Sequence, residues 1–76
     1  MSLYHFDVRY DGGAWEEDDV GVELADREEA RQQALVLAFS LAKERPPVEE
    51  IAVRVRDGEP EPVLVVRVST AVEQRG

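Results

Sequence analysis

The chain has 76 residues, of which 43% are hydrophobic and 34% charged, with 17 acidic residues against nine Lys and Arg. A chain of this length and composition holds one hydrophobic core, so we expect a single globular domain over residues 1–76, with 73–76 as a frayed tail. The formal net charge of −8 argues against general attraction to nucleic acid or to anionic membranes, although local binding of nucleic acid stays open.

The sequence offers few of the cross-links that usually stabilise a small core, namely disulfides and structural metals. The chain contains no cysteine, which excludes disulfides, and a single imidazole, His5, argues against a structural zinc site. We therefore predict no metal and no cofactor, and oligomerisation is the remaining means of stabilising so small a core. No secretory leader pattern and no apolar run of about 18–20 residues is present, so we expect a cytoplasmic protein without a membrane span.

The first predicted element is a strand over residues 3–10, LYHFDVRY, in which apolar and polar residues alternate. The turn signal Asp11-Gly12-Gly13 ends it. Residues 14–24 leave two interpretations open, a short returning strand or a solvated loop. Mutual repulsion within the acid run Glu16–Asp19 favours a loop there, and its spacing does not match a calcium loop. The strand alternation predicts a core-facing set of Tyr4, Phe6, Val8 and Tyr10.

A helix is predicted next, through DREEARQQALVLAFSLAKER. Asp26 is a suitable N-cap, Glu29 occupies the capping-box position, and the pair Pro46-Pro47 ends the helix. Two alternating strands follow, EEIAVRVRD and PVLVVRVST, joined by a hairpin loop at 57–62. The order β-(β)-α-β-β predicts an α+β two-layer sandwich, with one helix on a mainly antiparallel sheet of three or four strands. Its second and third strands would supply Ile51, Val53, Val55, Leu64, Val66 and Val68 to the core.

The predicted helix is apolar over a wider arc than one core requires. Its packing stripe comprises Ala30, Ala34, Leu37, Ala38 and Leu41. Beside this stripe lie Leu35, Phe39 and Ala42, and two interpretations of them stay open. The edge of the sheet or the 11–24 segment, for example Trp15, could cover them, or they could form a self-association surface. We favour a homodimer, because Val63 and Val65 add a second apolar spot on the far side of the sheet.

The helix-free face of the sheet carries the candidate binding residues. Alternation places four arginines there together with one acid and the histidine: His5, Asp7, Arg9, Arg54, Arg56 and Arg67. They could bind an anion, RNA or an acidic partner, or merely keep an open face hydrated. An RNA-binding sheet usually presents aromatic side chains outward, whereas the aromatic side chains of the first predicted strand should point inward.

The same face offers an incomplete catalytic set. His5 and Asp7 could form the orienting half of an acid–base pair. No nucleophile accompanies them, so we predict that the chain is not an enzyme and has no catalytic residues.

Three segments, YHFDVRYDGG, DDVGVELADREEARQQAL and VRVRDGEPEPVLVVRVS, resemble a family of small domains of unknown function from rhizobia and other alphaproteobacteria. The resemblance implies a bacterial origin and supplies no catalytic residues. The matching positions are Tyr4, Phe6, Asp11, Gly12, Asp18 or Asp19, Gly21, Glu23, Leu24, Ala30, Ala34, Asp57, Pro62, Val63 and Leu64.

A weaker, fold-level similarity links the helix entry DREEA, residues 26–30, to HicB-type antitoxins, although the DNA-binding segment that those antitoxins commonly carry is missing here. Our first hypothesis is a non-enzymatic, self-associating protein-interaction or regulatory module, for which a protein partner is possible. The alternative is an antitoxin-like or nucleic-acid-associated binder that uses the arginine face.

Overall fold

Four strands and one helix account for most of the chain in the computed structural model, which describes residues 1–44 and 49–69. In chain order they are β1 (Ser2–Tyr10), β2 (Val22–Leu24), α1 (Arg27–Glu44), β3 (Glu50–Arg56) and β4 (Leu64–Ser69). Strands β1, β3 and β4 lie where the alternation predicts them, because β-branched and aromatic residues suit a half-buried pleated surface. The predicted tail at 73–76 and the proline pair lie outside the described residues.

The strands form one open antiparallel sheet in the order β2-β1-β3-β4, with α1 on one face. The predicted α+β architecture is confirmed. The open question about residues 14–24 is also answered, because its last part forms the short edge strand β2 and Glu16 makes an isolated bridge with Val8. Strand β2 and Glu16 therefore pair with the same edge of β1, β2 beside its first half and Glu16 beside its second half.

The core lies between the sheet and α1. The fully buried members of the predicted set come mainly from the start of β1 and from β3, and the other predicted residues are half-buried and pack against them. Three alanines of α1 are completely buried, which lets the helix backbone approach the sheet closely. The buried core comprises Tyr4, Phe6, Leu24, Ala30, Ala34, Ala38, Ile51, Val53 and Val55.

The helix begins as its sequence predicts. The Asp26 carboxylate accepts the amide of Glu29 at 2.9 Å, and the Glu29 carboxylate accepts the amide of Ala25 at 3.3 Å. The first bond satisfies a backbone donor that the first turn of a helix leaves unpaired, and the second holds the residue that precedes the N-cap. From there α1 runs mainly over β3 and β4, so the helix-facing side of β1 is less well covered than that of β3.

The turn after β1 is tied to the start of β3. Asp11 has a positive φ of 49°, a conformation that aspartate tolerates better than most residues. Its carboxylate accepts the amides of Glu49 and Glu50 at 2.9 and 2.8 Å. In the described part of the chain, no helix is both long and apolar enough to cross a membrane.

Candidate functional site

The sheet register brings the predicted arginine face together. Asp7 lies opposite Arg54, and His5 lies opposite Arg56. Residues directly opposite each other in antiparallel strands project from the same face, which here is the side away from α1. Ala52 lies opposite Arg9 on β1 and opposite Arg67 on β4, so these two arginines also project from this face. All six predicted residues therefore share one face.

A buried carboxylate, not a free guanidinium, organises this face. Asp7 is completely shielded from solvent. Arg54 Nε and Arg56 Nε each donate to Oδ2 of Asp7 at 2.6 Å, and Arg56 Nη2 donates to its Oδ1 at 2.9 Å. Arg56 thus binds the carboxylate in the bidentate geometry typical of strong Arg–carboxylate pairs. The charges of both arginines are directed into the protein.

Electrostatics favour the ionised form of this carboxyl. Burial alone would raise the pKa of Asp7, but the hydrogen bonds from Arg56 and Arg54 and the amide of Asp18 outweigh it and hold the pKa well below its usual range. The pKa of the Arg56 guanidinium is raised, chiefly by its hydrogen bond to Asp7. The three side chains form a structural ion cluster that remains charged at neutral pH.

Residues 14–21, which we name the covering segment, close over this cluster. The amide of Asp18 donates to Oδ1 of Asp7 at 2.9 Å. The Asp18 carbonyl oxygen accepts Nδ1 of His5 at 2.9 Å and Nη2 of Arg56 at 3.3 Å. The expectation that the acid run is a solvated loop is therefore wrong for Asp18, because its backbone is bonded to the sheet.

The Asp18 side chain replaces a missing stretch of strand pairing. Its Oδ2 accepts the amide of Phe6 at 3.1 Å, on the edge of β1 between the residues paired with β2 and with Glu16. Its Oδ1 accepts the amides of Val20 and Gly21 at 3.0 and 3.1 Å. Burial opposes ionisation of Asp18, but these amides outweigh it, so the pKa of Asp18 is lowered.

Trp15 completes the cover. The guanidinium carbons of Arg9 and Arg54 lie 4.5 and 4.6 Å from the centre of its ring, within the range of cation–π interactions. Trp15 therefore stacks on the arginines, and the interpretation in which it covers Leu35 and Phe39 of the helix is wrong.

The cover changes the chemistry of the predicted face. His5 is bonded to a backbone carbonyl and Asp7 to two arginines, so the pair does not have the hydrogen bond of a catalytic His–Asp dyad. Arg67 is exposed at the far side of the face, on β4. Among residues 1–44 and 49–69, no three His, Cys, Asp or Glu side chains are grouped so that they could hold a metal ion.

The predicted self-association residues divide between exposed and half-buried positions. Phe39 is 55% exposed on α1, and Val65 is 38% exposed on β4. Leu35 is half-buried, and Ala42 and Val63 are half-buried against the core. Both exposed side chains are large and apolar, but Val65 lies opposite Arg54 and projects from the helix-free face, whereas Phe39 is on the helix.

A groove of about 460 Å³ lies on the other side of the helix, between α1 and β1. Leu37 and Leu41 line it from the helix, and Phe6, Val8 and Tyr10 line it from β1. We name this feature the β1–α1 groove. The sequence prediction placed these side chains in the core and missed the groove, because alternation shows which face a residue occupies but not how far across the sheet a helix reaches.

Comparison with protein families assigns the chain. A family model described as Domain of unknown function (DUF6894) matches residues 3–69, most of the chain. The chain belongs to the DUF6894 family. No curated protein and no solved structure matches it.

Several positions that carried the resemblance have structural roles in this DUF6894 domain. Asp11 joins β1 to β3, and Asp18 fixes the covering segment. Gly21 has a φ of +80°, and a Cβ there would lie 3.0 Å from the His5 ring and from a methyl of Leu3. The spacing Asp18-x-x-Gly21 was the available signal for this ordered turn, since aspartate often bonds amides two or three residues later.

Proposed function

We propose that this DUF6894 domain is a non-enzymatic interaction module that forms a homodimer through β4 and the adjoining flank of α1. We name this region the dimer surface; its residues are Leu35, Phe39, Ala42, Val63 and Val65. The observation that carries the proposal is the exposure of Phe39 and Val65, two large apolar side chains, on the side of the molecule where the sheet ends.

Helical geometry supports a common position for the three helix residues, whereas Val65 lies opposite Arg54 and therefore on the face of β4 away from α1. Successive residues of an α-helix are about 100° apart. Leu37 and Leu41 line the groove beside β1, and the buried Ala34 and Ala38 lie at the centre of the contact between α1 and the sheet. The flank with Leu35, Phe39 and Ala42 is therefore on the opposite side of that centre, towards β4. The helix contacts β4 directly, which brings this flank close to the sheet edge.

The position of β4 at the edge of the sheet also supports a dimer. Among the four described strands, β4 is an edge of the sheet, and six residues long it is twice the length of the other edge strand, β2. An edge strand presents unpaired backbone donors and acceptors that another strand can satisfy. Antiparallel pairing of two β4 strands across a two-fold axis would extend the sheet and bring the two Phe39 flanks together.

Sedimentation velocity across a dilution series tests the proposal. We expect the wild type to shift from dimer towards monomer on dilution, and Phe39→Asp to be monomeric throughout, because a carboxylate cannot be buried unpaired at the interface. Val20→Asp is the matched control, since Val20 is 81% exposed and precedes β2 at the opposite edge. A wild type that is monomeric at every concentration, or equal loss of dimer in both variants, would contradict the proposal.

The alternative, an antitoxin-like or nucleic-acid-associated binder, has less support. Arg54 and Arg56 share the Asp7 carboxylate and Arg54 also contacts Glu17, so nearby acids offset most of the positive charge of these two face arginines. Arg9 is stacked on Trp15, which leaves Arg67 as the exposed arginine of the predicted set. The bacterial origin, the cytoplasmic location and the similarity to HicB-type antitoxins stay predictions from the sequence.

A further inference from the structure

We propose that the β1–α1 groove binds a basic, apolar peptide segment of a partner protein, in which an arginine or lysine is flanked by large apolar side chains. The groove lies on the opposite flank of α1 from the dimer surface, so this inference does not depend on dimer formation.

The apolar part of the proposal rests on what the helix leaves uncovered. Because α1 runs mainly over β3 and β4, the side chains of Val8 and Tyr10 on β1 are only half-buried. Leu37 and Leu41 on the facing side of the helix are half-buried as well. The groove volume of about 460 Å³ lies within the range of about 300–1,000 Å³ that is typical of ligand sites. Large apolar side chains would complete this surface.

The charge of the lining points to a cation. Among the lining residues that the structure describes, Glu16, Glu17 and Asp18 are acidic and none is Lys, Arg or His. The Asp18 carboxylate is occupied by backbone amides, but Glu16 and Glu17 are exposed. The one ion pair of Glu17 in the described region is a long contact of 3.8 Å with Arg54. These two carboxylates are available to a positive group, and the net charge of −8 would attract a basic segment.

The shape of the groove favours a peptide over a small cation. Small-molecule sites usually bury about 70–90% of the ligand surface. This groove is open to solvent and not an enclosed cavity, so a short ligand would stay largely exposed. A peptide can lay one apolar side chain on Val8 and Leu37 while its basic neighbour reaches Glu16 at the rim. Binding by an apolar anchor with a charged rim is the usual arrangement for peptide-recognising grooves.

The test uses a fluorescein-labelled peptide of alternating leucine and arginine, titrated into the full chain while anisotropy is recorded. We expect binding that weakens as salt rises from about 0.05 M to 0.3 M, because exposed charges contribute to it. We also expect amide NMR shifts at Val8, Leu37 and Leu41. Replacing the leucines of the peptide by serine, or its arginines by glutamate, should abolish binding, and spermine should not compete at matched charge.

The variant Glu16→Gln/Glu17→Gln should bind the leucine–arginine peptide about fivefold more weakly, as expected for two exposed ion pairs. Glu59→Gln/Glu61→Gln removes the same charge from the exposed hairpin and serves as the control, with less than a twofold change expected. Circular dichroism checks that both variants are folded. Equal weakening in the two variants, NMR shifts confined to the dimer surface, binding of the serine peptide, or competition by spermine would each overturn the proposal.

Discussion

The two faces of β1 are covered in different ways. On the outer face, the polar side chains of Asp7 and His5 are held under the covering segment by hydrogen bonds, and Asp7 is fully buried. On the inner face, the apolar side chains of Val8 and Tyr10 are only half-buried beside a groove. The polar face is thus closed and part of the apolar face is open. The closed face stabilises the fold, and the open one carries the groove for which we propose a peptide partner.

The largest expected effect comes from breaking the closed face at its centre. Asp7→Asn removes the buried charge that both Arg54 and Arg56 contact. Breaking a fully buried ion pair costs about 3–5 kcal/mol, and because both arginines are about one-quarter exposed we expect about 2–4 kcal/mol here. Urea unfolding followed by the fluorescence of Trp15, the single tryptophan, measures the free energy of unfolding.

The matched control for Asp7→Asn is Asp19→Asn, which removes an exposed acid from the covering segment itself. We expect that variant to change the free energy of unfolding by less than about 0.5 kcal/mol. Both variants must be compared at one protein concentration, because dimerisation would shift the apparent stability. If the two variants were equally stable, the ion cluster would not be what holds the outer face closed.

The ordered elements were predictable because their signals are local. Alternation in β1, β3 and β4, the Asp26 cap and the arginine face all follow from neighbouring residues in the sequence. The closed state of that face was not predictable in the same way. It depends on Asp18 bonding to the backbone of Phe6 and to Asp7, which are more than ten residues away, and on Trp15 meeting arginines from two strands. A run of acids between two turn signals contains no local information about such contacts.

A smaller effect is expected where the covering segment meets the sheet. Gly21→Ala and Gly12→Ala both place a side chain at a positive φ, of +80° and +73°. Only at Gly21 would the new Cβ crowd the His5 ring and Leu3, each at 3.0 Å, whereas the space at Gly12 is open. Both variants carry the backbone cost of about 1–2 kcal/mol, and we expect Gly21→Ala to lose about 1 kcal/mol more because the ring is held by its bond to Asp18.

Urea unfolding compares the two glycine variants, and the NMR chemical shifts of the His5 ring provide a local readout. In Gly21→Ala those shifts should move, while in Gly12→Ala they should match the wild type. Equal destabilisation with an unmoved His5 ring would mean that the covering segment does not seat against β1 as closely as the structure has it.

The smallest expected effect is the change in the free energy of unfolding at acidic pH that comes from the closed face. The pKa of Asp7 and that of Asp18 are both lowered by folding, so the unfolded chain binds protons first as pH falls. Their stabilisation is fully present above about pH 5 and is lost progressively below the unfolded value of about 3.9. Near pH 3 Asp7 should contribute about 1 kcal/mol less than at neutral pH. The stability gap between wild type and Asp7→Asn should therefore narrow by about 1 kcal/mol from about pH 6 to about pH 3. If the difference in free energy of unfolding between wild type and Asp7→Asn did not change with pH, folding would not hold Asp7 in its ionised form. The contrast between a closed polar face and an open apolar one would then lose its electrostatic basis.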